Sequence, residues 1–113
     1  LYMKVSIIET SNATIIKVEL EQILGYSGNE FQEAVLNSIK GEKKYTIVDL
    51  SKVTFISSSG LGMLMYGFTT AQNNKKEFRI CGCSPKLLDS FVKTKLNTVF
   101  KFYDSVDEAM AES

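Results

Sequence analysis

The chain has 113 residues, 44% of them hydrophobic and 23% charged, which suits one domain with a buried core and leaves too little length for two domains of ordinary size. Its 13 basic and 13 acidic residues cancel to a formal net charge of zero, so no overall positive field exists to gather phosphate backbones or anionic lipid, and no nucleic acid is expected as a partner. Histidine is absent; with it go the commonest general base, the Ser-His-acid triad and the commonest zinc ligand, so neither enzymatic activity nor a metal or other cofactor is expected.

No apolar run approaches the roughly 20 residues that span a bilayer, and the first residues lack the basic-then-apolar order of a secretory leader. The expectation is a cytoplasmic protein without membrane insertion. Met3 reads as a native start, with Leu1 and Tyr2 as an added remnant, which sets the single domain at 3–113.

In chain order, Val5 to Thr10, the polar turn Ser11-Asn12 and the β-rich segment Thr14 to Leu20 predict an antiparallel hairpin. Gly25 to Gly28 breaks the pattern. Ser27 and Glu30 then form a capping box ahead of Phe31, Ala34, Val35 and Ile39 at helical spacing, and Gly41 closes that helix. Tyr45 to Leu50 has the continuous apolar character of a strand covered on both faces, hence the centre of a sheet. After Val53-Thr54-Phe55-Ile56, the turn Ser57-Ser58-Ser59-Gly60 opens a second helix with Leu61, Leu64, Met65 and Phe68 on one face and Asn73-Asn74 at its end.

Phe78 to Cys83 reads as another strand. Cys81 and Cys83 at i and i+2 should point to one face of it as ordinary strand residues. Ser84-Pro85 is an N-cap with proline at the first helical position, before Leu87, Leu88, Phe91 and Val92 on the apolar face of a third helix. Val99 to Tyr103 predicts a short last strand, and Ser105 with Glu108 a capping box for a terminal helix containing Ala109 and Met110. Alternation of strands and helices after a hairpin predicts an α/β fold: a small, mixed, mainly parallel sheet with right-handed crossovers and about four helices around it.

The segment Val48 to Gly62 runs a buried strand into a serine-rich turn at a helix start. Helix N-terminal amides lack intrahelical acceptors and carry the positive end of the dipole, so a phosphoserine there is electrostatically accommodated. Gly60 and Gly62 leave little side-chain bulk against an approaching partner. The plain alternative is that the serines cap and the glycines relieve crowding between helix and sheet. The glycine-lysine end of a P-loop is missing, as is a glycine two residues before a candidate serine, so neither phosphate-loop nor nucleophile-elbow chemistry fits. Met63, Tyr66 and Gly67 stand off the main apolar stripe, forming either a docking patch beside Ser59 or packing under a neighbouring helix. Asp49 reads as a strand-end residue that satisfies nearby amides, and Phe31, Phe68, Phe78, Phe91 and Phe100 read as core.

Taken together, Val48-Asp49-Leu50-Ser51, the spacing to Phe55-Ile56, the Ser58-Ser59-Gly60-Leu61-Gly62 turn, Ser84-Pro85 and the closing Tyr103 to Ala109 resemble the bacterial anti-sigma factor antagonists over essentially the whole chain. The resemblance implies a STAS fold and a protein-binding switch whose partners are an anti-sigma factor serine kinase and a serine phosphatase. It places the phosphorylation site at Ser59. Its partner-facing surface maps onto Ser57, Ser58, Gly60, Leu61, Gly62, Met63 and Tyr66, with Leu24, Gly25 and Tyr26 from the loop after the hairpin. The family commonly carries aspartate where Ser57 stands, a second acid in the loop that here reads Leu24-Gly25-Tyr26, and glycine where Lys95 stands. A STAS module in a transporter-associated or signalling-scaffold assembly is the alternative that the resemblance also allows.

Overall fold

The computed structural model describes residues 5–24 and 29–111. The hairpin forms from β1 (Val5–Glu9) and β2 (Ala13–Val18), with Val5 opposite Val18 and Ile7 opposite Ile16. A two-residue strand β3 (Gln22–Ile23) leads towards α1 (Asn29–Lys40), followed by β4 (Tyr45–Asp49), β5 (Phe55–Ile56) and α2 (Ser58–Asn73). Then come β6 (Glu77–Cys81), α3 (Pro85–Lys93), a single 3₁₀ turn at Leu96–Thr98, β7 (Lys101–Tyr103) and α4 (Val106–Met110). The main sheet has the order β1-β2-β4-β6-β7, antiparallel only between β1 and β2. It is the mixed, mainly parallel α/β sheet that the alternation of elements predicts.

All five residues of β4 are buried, as its unbroken apolar run requires of a central strand. Alternation along the strands sends Ile16, Val18, Val48 and Ile80 into the larger core, which also holds Phe31, Val35 and Ile39 of α1, Leu61 and Leu64 of α2, and Leu87 and Phe91 of α3. Phe100 meets Phe68 and Phe91 edge to face at centroid separations of 5.6 and 5.7 Å. The opposite sheet face carries a smaller cluster of Ala13, Ile15, Tyr45, Ile47 and Cys81, closed by Ala109 of α4.

Local caps act as their residue types dictate. Ser84 Oγ accepts the Leu87 N–H at 3.1 Å with Pro85 at the first helical position, and Ser105 Oγ accepts the Glu108 N–H at 3.2 Å. Ser27 and the Gly25 to Gly28 break lie outside the described residues.

Two expectations need correction. Cys81 and Cys83 do not share a face: Gly82 adopts φ +78°, which interrupts the alternation, so Cys81 joins the smaller cluster while Cys83 packs against the larger core. Val92, assigned to the apolar face of α3, is 53% exposed, and that helix is anchored by buried Leu87 and Phe91. Lys95 sits in the left-handed region at φ 63°, a conformation that costs a residue with a Cβ about 1–2 kcal/mol.

Candidate functional site

The site is built where β3 and β5 pair as a short parallel ladder, Gln22 beside Phe55 and Ile23 beside Ile56. Thr54 N–H and Phe55 N–H both donate to the Glu21 carbonyl, at 2.7 and 3.2 Å, and Ser57 N–H donates to the Ile23 carbonyl at 3.0 Å. These bonds pin the segment after the hairpin to the start of α2, so Leu24 leaves the ladder beside the serine turn. Gly25 and Tyr26, assigned to the same surface, lie outside the described residues.

Ser57 is the N-cap of α2: its Oγ accepts the Gly60 N–H at 3.0 Å, and its carbonyl accepts the Leu61 N–H at 2.9 Å. Ser58 and Ser59 are the first two helical residues, the positions whose N–H groups have no acceptor within the helix. Both are exposed, and the first turn of α2 contains no acidic residue. The serines thus divide the work: Ser57 caps, leaving Ser59 free to face outward.

The two glycines of the turn have different roles. A Cβ on Gly60 would stand 2.8 Å from Ile56 Cγ2 and 2.9 Å from the Ile23 carbonyl oxygen, so Gly60 is what lets α2 lie against the ladder. A Cβ on Gly62 would meet nothing within 4 Å. Glycine inside a helix costs about 0.5–1 kcal/mol relative to alanine, and no contact with the other described residues accounts for it at Gly62. Ser59, Gly62 and Tyr66 follow one another at helical spacing on one exposed face, with Tyr66 48% exposed.

Several residues of the expected partner surface are turned inward. Leu61 and Met63 are buried and belong to the larger core, and Gly60 is buried beneath the ladder. Gly67 is also buried, its position filled out by Phe78 and Val35. Of the alternatives for Met63, Tyr66 and Gly67, packing therefore holds for the methionine and the glycine, and exposure for the tyrosine. Phe55, absent from the expected set, is 49% exposed immediately before the serine turn; strand alternation against buried Ile56 was the signal available for it.

Asp49 Oδ1 accepts the Ser51 N–H at 2.9 Å, the strand-end role its position suggests. A cavity of about 270 Å³ lined by Phe68, Gln72, Phe78 and Val99 lies towards the other end of α2, its helix residues roughly 14–20 Å from Ser59 at 1.5 Å per helical residue. It is not part of the serine site. Among the described residues no helix is long and apolar enough to cross a membrane.

The profile of the STAS domain matches residues 4–109. The chain belongs to the STAS-domain family. Solved structures agree on this fold: an anti-sigma-factor antagonist (STAS) domain protein from Planctomyces limnophilus superposes with a TM-score of 0.81 at 19% identity, over 93% of this chain and 92% of that one. The Bacillus cell fate determinant SpoIIAA in its phosphorylated form gives 0.69 at 15% identity, over 96% of each chain. A sulfate transporter family protein from Wolinella succinogenes gives 0.76 at 15% identity, over 91% of this chain and 85% of that one. At these identities the likeness concerns the STAS fold itself.

Proposed function

We propose that this STAS domain is a protein-binding switch of the anti-sigma factor antagonist kind, and not an enzyme. It binds a cognate anti-sigma serine kinase in the cytoplasm, is phosphorylated on Ser59 by that kinase, and is reset by a serine phosphatase. The observation that carries this reading is the exposed stripe Ser59, Gly62, Tyr66, in which a Cβ on Gly62 would touch none of the described residues and the glycine costs the helix stability. A surface kept free of bulk beside an outward-facing serine suits a partner whose backbone must come close. Exposed Ser58 and Phe55, together with Leu24, complete the docking surface. Because Ser57 and Leu24-Gly25-Tyr26 replace the family's acids, the partner's matching surface should be apolar and hydrogen-bonding more than basic.

A phosphate on Ser59 brings a charge of about −2 to the positive end of α2, where no carboxylate of the first turn repels it. The domain accommodates it locally. A docked partner would have to bury it, which is unfavourable unless the partner supplies its own cations.

The test is phosphopeptide mapping of the protein isolated from its own cells and after incubation with the co-purifying kinase and ATP. A single phosphate on Ser59 is expected. Phosphate on Ser57 or Ser58 would refute the assignment, and no phosphate under any growth condition would favour the transporter-associated or scaffold reading, which the likeness to a sulfate transporter family protein supports.

A further inference from the structure

The sheet face opposite α1, α2 and α3 is closed in a different way. Its cover is α4, five residues long, seated through Ala109 with Val106 and Met110 beside it. A helix of that length has no stability of its own in water. It is held instead by Arg79, which is only 1% exposed although it lies in the middle of β6. Arg79 Nη1 donates to the Ala109 carbonyl at 2.7 Å and to the Ala111 carbonyl at 3.2 Å, closing the C-terminal end of α4. The guanidinium lies 4.1 Å from the Tyr45 ring centroid and 5.2 Å from that of Tyr103.

The guanidinium's remaining bonds do not depend on α4. Nε and Nη2 donate to Glu77 Oε1 at 3.3 and 3.1 Å. Burial pushes the Glu77 carboxyl up, but hydrogen bonds from Lys101 and Arg79 outweigh it and hold the group below its ordinary value. With α4 lifted, Arg79 would keep Glu77 and both tyrosine rings and would turn Nη1 to water. No charge is left buried and unpaired, so the usual penalty for breaking a buried ionic contact does not oppose opening. The larger core does not share residues with this cluster and stays closed.

We propose that α4 is a strap latched by Arg79, opening as a unit while the rest of the domain stays folded. The open form presents Ile15, Tyr45, Ile47 and Cys81 on the face away from Ser59, continuous with Ile8, which pairs with Ile15 and is already 56% exposed. The uncovered face keeps the Arg79 guanidinium in its middle, beside Ile47 and over the Tyr45 ring.

Cys81 reports on the opening, because it is 1% exposed inside the cluster that α4 covers. In a Cys83→Ser background, its reaction with dithiobis(nitrobenzoate) is followed from zero to moderate urea beside global unfolding. Labelling without urea should run at least about tenfold faster than global unfolding allows and depend only weakly on urea. Arg79→Met, which keeps bulk and loses the donors, should speed labelling about tenfold or more. Should that variant not fold, Ser105→Ala decides: it removes only the exposed cap of α4 and should speed labelling about fivefold, while the global unfolding equilibrium shifts by no more than that same factor, since the cap is made only in the closed native state. Labelling that follows global unfolding with the same urea dependence, or a rate unmoved by Ser105→Ala, would overturn the strap.

Discussion

On the proposed reading, Gly62 separates stability from partner binding at a single residue. Its Cβ position is empty space on an exposed helix face, so Gly62→Ala should stabilise the domain by about 0.5–1 kcal/mol through helix propensity. The same substitution should weaken partner binding, and Gly62→Glu should abolish it without loss of fold. Chemical denaturation beside a pull-down of the kinase checks both; a variant that binds normally would assign Gly62 no part in docking. The cysteines give a second prediction. Burial first, then the charge of Asp49, raises both thiols from 9.0 to about 12, with Cys83 adding to the effect on Cys81. Folding thus favours the protonated thiols, so their contribution is complete below about pH 9 and is lost as pH rises towards about 12. Replacing Cys81 with alanine and Cys83 with serine should flatten the alkaline fall in stability relative to the parent protein. Equal slopes in urea titrations between pH 8 and 11 would contradict it.

Among the elements, the β3–β5 ladder is the one that the site depends on. Gly60→Ala should drive α2 against Ile56 and the Ile23 carbonyl, costing about 1–3 kcal/mol as overpacking does. Its effect on stability should be opposite in sign to that of Gly62→Ala, two residues away. An unfolding midpoint at or above that of the parent would mean that the helix does not need its close seat on the ladder. The sequence made the locally determined features legible: Ser84-Pro85 and Ser105 declare their helices because cap and capped amide lie three residues apart. The ladder stayed hidden because Gln22–Ile23 and Phe55–Ile56 are two-residue strands that are recognisable only once the chain has brought them together. Arg79 was hidden for the same reason, its carbonyl acceptor at Ala109 being 30 residues away. Gly82 was visible, yet its positive φ, which sends Cys83 to the other face, is imposed by the turn at the strand's end and not by the alternation of its neighbours.

For the whole molecule, the sheet divides the protein into two faces with different tasks. On one, a large core fixes α1, α2 and α3 and holds the Ser59 stripe in place; on the other, a small cluster lies under a short strap. A switch of this design needs the domain to remain folded in both modification states, so that phosphate alters what the surface can meet and leaves the scaffold unchanged. The central claim is tested most directly by calorimetric affinity for the co-purified kinase, alongside thermal unfolding, for the unmodified protein, the Ser59 phosphoprotein, Ser59→Ala and Ser59→Asp. The phosphoprotein should bind at least about a hundredfold more weakly, a loss of about 2.8 kcal/mol, while unfolding at nearly the same temperature as the unmodified form. Ser59→Ala should bind like the unmodified protein, and Ser59→Asp should fall between, having one charge where phosphate has about two. Equal affinities across the four proteins, or a collapsed unfolding temperature in the phosphoprotein, would contradict the account.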